Sequence, residues 1–362
     1  MDDVGYRVAF SRIRGIGPAR FAKLVEYFGD AGSAWEASEK ELTACLGPAL
    51  TRSFCSERVK IDPEAELKDI CQRGYRLLVP GERGYPPLLH HVHAPPFLLY
   101  QLGEFDFTDD LVTVAMVGTR RPTPYGRKVA REFARYLARE GIVVGSGMAL
   151  GIDGESHRGA LEGGGRTVAV LGSGLDVVYP SSHLDLARDI TSSGGALITE
   201  YPPGTRARRE NFPARNRILS GMSQGTLIVE APEKSGTMIT AGFALEQGRE
   251  VMAVPGPVTS PMSRGTNILL SQGAYLVQGP KDVLVALGIT VDEERQEDGG
   301  GERHDLTPEE KEILTHIDPV GVTREELLHL SGWEEGRLYR VLVGLELKGC
   351  IRQALGGKLC SC

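Results

Sequence analysis

Cysteine is scarce in this chain: six in 362 residues, Cys45, Cys55, Cys71, Cys350, Cys360 and Cys362, none in a C-x-x-C pair. That spacing excludes a disulfide scaffold and a standard zinc module, so no metal is expected. The terminal Cys360-Ser361-Cys362 reads as a reduced, frayed tail. No apolar run approaches the roughly 20 residues of a membrane helix, and the opening MDDVGYRVAFSRIRG lacks the apolar core of a secretory signal. A cytoplasmic protein without membrane contact is expected. Overall positive charge is also missing, the formal net charge being −7, which taken alone speaks against nucleic acid.

The distribution of charge reverses that. Val291 to Glu312 holds ten acids against three bases, so this one segment accounts for the whole net charge. Elsewhere the bases cluster. Thr119 to Arg139 holds seven bases and the single acid Glu132, and Gly204 to Arg217 holds five arginines and the single acid Glu210. Local basic patches are what a groove for a nucleic-acid backbone requires.

The chain is organised around Leu111 to Arg131. Leu111 to Val117 (LVTVAMV) is a valine-rich apolar run, the mark of a strand buried on both faces of a parallel sheet. Gly118-Thr119-Arg120-Arg121-Pro122 follows at once, and Tyr125 to Glu140 then carries Val129, Phe133 and Leu137 at helical spacing. Strand, glycine turn and helix open a Rossmann-like unit. Its first turn lies at the carboxyl rim, where backbone N–H groups and a helix N-terminus favour an anion. The dinucleotide fingerprint G-x-G-x-x-G is absent, because arginines and prolines replace its second and third glycines. An arginine pair suits a polyanion better than a tucked-in pyrophosphate, although salt bridges to neighbours would explain it as well.

Residues 111 to 288 alternate. Strands are expected at 111–117, 142–145, 167–171, 196–200, 226–230, 251–254 and 274–277. Helices are expected at 125–140, 153–163, 182–193, 214–222, 237–247, 266–272 and 280–287. This predicts an α/β fold, an extended Rossmann-like domain over 61–288 with a mostly parallel sheet and helices on both faces. The proline-punctuated stretch 61–110 extends that sheet. Residues 1–60 read as a small helical module. Its Gly15-Ile16-Gly17-Pro18 turn fits a helix-hairpin-helix that points N–H groups at a phosphate, or equally a sterile-alpha-motif-like packing unit. Residues 289–305 (within EERQEDGGGERHD) read as an acidic flexible linker. In 306–362, Thr307-Pro308 and the capping box at Thr323 start helices, and a third helix leads into a hairpin turned at Gly356-Gly357. That is a winged-helix pattern, and its base-poor third helix favours a protein-contact or structural role over base readout.

An enzymatic alternative stays open. Ser235-Gly236-Thr237 opens a helix and can cradle a phosphate, with Glu230 and Glu246 nearby, which is similar to the G-G-x-G-T-x-x-E site of Rossmann nucleoside monophosphate phosphoribohydrolases. The paired glycines are missing, however, and a helix cap explains the motif as well. Asp153 and His157 stand four apart at a helix start, as an acid–base pair or as a cap and a packed histidine. No nucleophile–base–orienter set is present, and no cofactor is expected.

Several motifs together resemble one family, the DNA processing protein A (DprA/Smf) family. They are Ala115 to Pro122; Gly145-Ser146-Gly147-Met148-Ala149-Leu150-Gly151-Ile152-Asp153; Ala169 to Asp176 with Tyr179-Pro180; Glu200-Tyr201-Pro202; Phe212-Pro213-Ala214-Arg215-Asn216-Arg217; Ser235-Gly236-Thr237; and Val254-Pro255-Gly256. The resemblance covers roughly residues 75 to 288. It implies a non-catalytic protein that binds single-stranded DNA without sequence preference, acts as a homodimer through the late Rossmann segment 240–287, and loads RecA recombinase onto incoming DNA in natural transformation. It implies DNA contacts at Gly118, Thr119, Arg120 and Arg121, at Ser146 and Gly147, at the basic Arg209 three before an aromatic platform Phe212, at Arg215, Asn216 and Arg217, and at Ser235, Gly236 and Thr237. Ser181-Ser182-His183 departs from the basic residue that some members carry after Tyr-Pro. Read without the family, a basic groove with an aromatic platform fits single-strand binding, while Phe212 fits a core position and Asn216 a loop brace equally well.

Overall fold

The valine-rich run after Leu111 forms a strand with all five residues buried. The computed structural model describes residues 3–289, 307–317, 322–348, 350–353 and 359–361. It has two compact units, Met1–Thr290 and Val291–Cys362.

The first unit begins with six helices: α1 (Asp3–Arg12), α2 (Pro18–Phe28), α3 (Ala31–Glu36), α4 (Glu39–Leu46), α5 (Pro48–Arg58) and α6 (Pro63–Gln72). Prolines in the first turn start α2, α5 and α6, and the side chains of Asp30 and Ser38 cap α3 and α4. Phe10 meets Phe21 and Trp35 edge-on at 5.2 and 5.1 Å, the centre of an aromatic core that these helices share. The helices pack directly on the sheet. Phe97 stacks on Phe21 at 4.1 Å, and Ser11 Oγ and the Tyr100 hydroxyl share a 2.7 Å hydrogen bond. In the Gly15-Ile16-Gly17 turn, Arg20 donates to the Gly15 carbonyl at 2.6 Å.

Strands β1 (Arg76–Leu78) and β2 (Leu99–Leu102) follow, and from there strand and helix alternate: β3 (Thr113–Val117), α7 (Pro124–Arg139), β4 (Val143–Ser146), α8 (Ile152–Glu162), β5 (Thr167–Val170), α9 (Leu184–Ser192), β6 (Ala196–Thr199), α10 (Asn211–Gly221), β7 (Gly225–Ile228), α11 (Gly236–Glu246), β8 (Glu250–Ala253), α12 (Arg264–Ser271), β9 (Tyr275–Leu276) and α13 (Pro280–Ala286). The nine-stranded sheet has the order β1-β2-β6-β5-β4-β3-β7-β8-β9. Strands β1 and β2 join it antiparallel, as the extension expected from 61–110, and all other pairs are parallel. Val168 and Val170 face one layer with Leu219 and Ala241, and Ala169 and Leu171 the other with Leu186 and Ile190. Two-sided burial is why these strands read as continuous apolar runs. The chain steps from β3 out to β6 and then returns to β7 beside β3, so the switch point of the sheet lies between β3 and β7.

The second unit has α14 (Pro308–Leu314), α15 (Arg324–Ser331) and α16 (Glu335–Leu347), then the hairpin of β10 (Ile351–Gln353) and β11 (Leu359–Ser361). Thr307 caps α14 and Thr323 forms the expected capping box of α15, and Ile313, Leu327, Leu338 and Leu345 make the core. Three helices and a hairpin are a winged helix. The expected linker from residue 290 onward, the Gly356-Gly357 turn and Cys362 lie outside the described residues.

Candidate nucleic-acid interface

At the carboxyl rim the Gly118 turn is fixed by backbone contacts. A Cβ on Gly118 would come within 2.5 Å of the Ile152 side chain, so glycine lets α8 approach β3. The Thr119 N–H donates to the Glu230 carbonyl at 2.8 Å, the Arg121 N–H to Thr119 Oγ1 at 3.2 Å, and the Thr119 carbonyl accepts from Ile152 N–H at 3.2 Å. The turn's amides at Thr119 and Arg121 are therefore engaged, and the side chains of Arg120 and Arg121 are exposed.

The switch point is filled from within. The Glu230 carboxylate, only 2% exposed, accepts from the Thr123 N–H at 2.9 Å and the Thr123 hydroxyl at 2.6 Å. Any Cβ on Gly126 would run into that carboxylate. Helix α7 has no acid of its own in its first turn, so Glu230 supplies the negative charge that its N-terminus favours. Glu230 thus braces a helix and has no free face for the enzymatic role considered above. Glu246 is exposed on α11.

Beside this plug lies an open lip. The Arg120 guanidinium sits 5.0 Å from the centre of the Phe212 ring. Phe212, half-buried at the start of α10, also lies 5.6 Å from the ring of Tyr179, which is 49% exposed. Arg209, just before α10, is exposed. These side chains come from the ends of β3, β5 and β6, which the sheet order brings to one rim.

Other expected contacts point inward. Ser146 is fully buried and donates to the Met116 carbonyl at 2.7 Å. Gly147 is buried because a Cβ there would lie 2.6 Å from Asp153 Oδ2 and hard against Arg215. Arg215 is 3% exposed and donates to the Gly147 carbonyl at 2.6 Å. Burial pushes Arg215 down to about 10, with Asp153 opposing, and burial pushes Asp153 up, with Arg215 opposing. Arg217 pairs with Glu200 and donates to the Ala94 carbonyl at 3.2 Å. Asn216 donates to Thr240 Oγ1 at 2.8 Å, tying α10 to α11. The reason is helical register. Asn211, Arg215, Ile218 and Leu219 form the buried stripe of α10, which turns Arg215 inward and leaves Phe212 at the rim. Ser146, Gly147 and Arg215 are thus buried where DNA contacts were expected, while Asn216 and Arg217 are half-buried and hold partners inside the protein.

Ser235 stands at the N-cap of α11 without a cap hydrogen bond, and its Oγ has no partner among the described residues. Gly236 is exposed and Thr237 is buried. His157 is fully buried. The Thr167 hydroxyl donates to the Val144 carbonyl at 2.6 Å, so it accepts from His157 Nδ1 at 2.7 Å. Burial lowers His157 to about 3, which keeps it neutral. This is the packed histidine, not a proton donor. His183 is buried, its Nδ1 2.9 Å from the Met148 carbonyl. Tyr179 is the rim residue that sequence reasoning missed. Its signal was the Tyr-Pro pair, which carried no contact until the fold brought it to Phe212. No group of His, Cys, Asp and Glu suited to a metal occurs among the described residues, and no described helix is long and apolar enough to cross a membrane.

Known proteins resemble this chain. The family model for DNA recombination-mediator protein A matches residues 76–288, and the model for the DprA winged helix domain matches 301–357. Protein Smf of Synechocystis is 31% identical, covering 97% of this chain and 97% of its own. The crystal structure of DNA processing protein A from Streptococcus pneumoniae superposes with a TM-score of 0.67 at 30% identity, covering 79% of this chain and 98% of that one. DNA processing protein A from Helicobacter pylori, whose structure is described for its single-stranded DNA binding mode, gives 0.53 at 31% identity over 59% of this chain and 95% of that one. With one model matching residues 76–288, more than half of the chain, and a second matching 301–357, this chain belongs to the DNA recombination-mediator protein A family.

Proposed function

We propose that this chain binds single-stranded DNA along the carboxyl rim, without sequence preference, and passes it to RecA recombinase during the recombination of incoming DNA. The observation that carries the reading is Arg120 lying over Phe212 at 5.0 Å on an exposed lip with Arg209. Cations for phosphates and an aromatic face for bases are the two parts a single-strand site requires. The reading includes no catalytic step, and the engagement of Glu230 by Thr123 and the burial of His157 support that.

Titration of a fluorescent oligonucleotide at several salt concentrations tests it. Log affinity should fall against log salt with a slope near −0.7 per phosphate contacted. Arg120→Ala should bind more weakly with a shallower slope, and an unchanged slope would move the DNA away from this lip. RecA filament assembly on DNA coated with single-strand-binding protein tests the hand-over.

A homodimer through the late Rossmann segment is part of the proposal. Leu245 on α11, Leu276 on edge strand β9 and Val285 on α13 are exposed apolar residues that support it. Light scattering of Leu245→Glu and Leu276→Glu should report monomers where the wild type reports dimers. For the winged helix we favour protein contact. On α16, Arg337 is neutralised by Glu309 at 2.6 Å and lies 4.1 Å over Trp333, which leaves it little charge for phosphate.

A further inference from the structure

We propose that Tyr179 is a stacking platform for a base of the bound strand, next to the one on Phe212. The inference rests on the single-strand reading of the same lip. Three observations lead to it.

The first is occupancy of the Phe212 ring. Arg120 covers it at 5.0 Å, and the backbone of Gly172 packs so close that a Cβ there would lie 3.2 Å from Phe212 Cδ1. Phe212 is therefore half-buried and hemmed in before any DNA arrives. The second is the availability of Tyr179. Its ring is 49% exposed and inclined at 46° to Phe212, with centres 5.6 Å apart. The third is the rigidity of the loop that presents it. The Ser173 hydroxyl donates to the Val177 carbonyl at 2.6 Å, the Gly174 N–H to the Thr205 carbonyl at 2.9 Å, and the Gly204 N–H to both Asp176 carboxylate oxygens at 2.9 Å. Leu175 is buried in the core beneath. The loop after β5 is thus stapled to the loop after β6, and a ring held in place beforehand loses little conformational freedom when a base stacks on it.

Arg120 and Arg209 on the same lip are at hand for the phosphates, while Tyr179 adds an exposed aromatic surface beside the half-buried Phe212. Stacking of this kind tolerates every base, because each has a π face.

The test compares an oligothymidylate with an abasic phosphodiester of equal length and charge, against wild type, Tyr179→Phe and Tyr179→Leu. Leucine keeps apolar cover over Phe212 but has no π face. Wild type should prefer the base-bearing strand, and Tyr179→Phe should retain that preference. Tyr179→Leu should weaken oligothymidylate binding by roughly five- to 150-fold, the range that one stacked base supplies. Its abasic binding and salt slope should be unchanged, since no phosphate contact is lost. Equal losses on both strands, or none on either, would overturn the proposal. If wild type binds both strands alike with a salt slope, the groove stands and the stacking fails. If wild type binds neither, the single-strand reading itself fails. Should Tyr179→Leu not fold, photo-cross-linking of a 5-iododeoxyuridine oligonucleotide to wild type decides: a cross-link at Tyr179 supports the platform, and its absence there overturns it.

Discussion

The lip of the carboxyl rim and the floor beneath it are built from the same residue types to opposite ends. On the lip, Arg120, Arg121 and Arg209 are exposed, and Phe212 and Tyr179 present rings. On the floor, Arg215 is bonded to the Gly147 carbonyl, Arg217 to Glu200, Glu230 to the start of α7, and Ser146 to the Met116 carbonyl. A buried charge is tolerated only when paired and hydrogen-bonded, so each floor group has found its partner inside the protein. On the proposed reading, what remains for DNA is the set of exposed side chains of the lip. An arginine in a basic motif is then offered to solvent or held as a strut according to which face of its element it occupies.

Floor substitutions should act on stability and lip substitutions on DNA. The largest effect is expected for Arg215→Ala, which removes the buried guanidinium that donates to the Gly147 carbonyl and opposes the cost of burying Asp153. A loss of about 3–5 kcal/mol in urea denaturation is expected, and a stable variant with a DNA defect would place Arg215 on the lip after all. Glu230→Ala removes the acceptor for both Thr123 donors and should cost about 3 kcal/mol. If the folded variant instead gained nucleotide hydrolysis or lost DNA binding selectively, the division would break at the switch point.

A smaller effect comes from pH. His157 is held at about 3 against 6.5 for the free side chain. As pH falls the unfolded chain takes the proton first, so this contribution is complete above 6.5 and drains away toward 3. Between pH 7 and pH 5 it should lower stability by about 2 kcal/mol. His157→Asn should flatten the pH dependence of the urea midpoint, whatever its stability at pH 7. The smallest effect tests the lip. Arg209→Ala should leave the melting midpoint in place and reduce the DNA salt slope by about 0.7.

Much of this was legible in the chain. The apolar runs at 111–117, 142–145 and 167–171 foretold buried parallel strands, because two-sided burial leaves no polar alternation. The Thr307 cap before Pro308 and the capping box at Thr323 foretold helix starts, because they satisfy backbone donors locally. The site was less so. Ser146 and Arg215 stood in motifs that looked like DNA contacts, and both are buried. Tyr179 stood in one that looked like a turn, and it reaches the rim.

The sequence by itself determined the alternation of elements, the concentration of arginines near two strand ends and the family motifs. All of these depend on residues close together in the chain, where spacing maps directly onto helix and strand periodicity. Only the tertiary structure decided which arginines face solvent, that Glu230 fills the switch point from 107 residues beyond Thr123, and that Tyr179 neighbours Phe212. Those facts depend on sheet order and on the register of α10 against the sheet. Contacts between distant segments follow from how layers pack, and a spacing pattern holds no record of that.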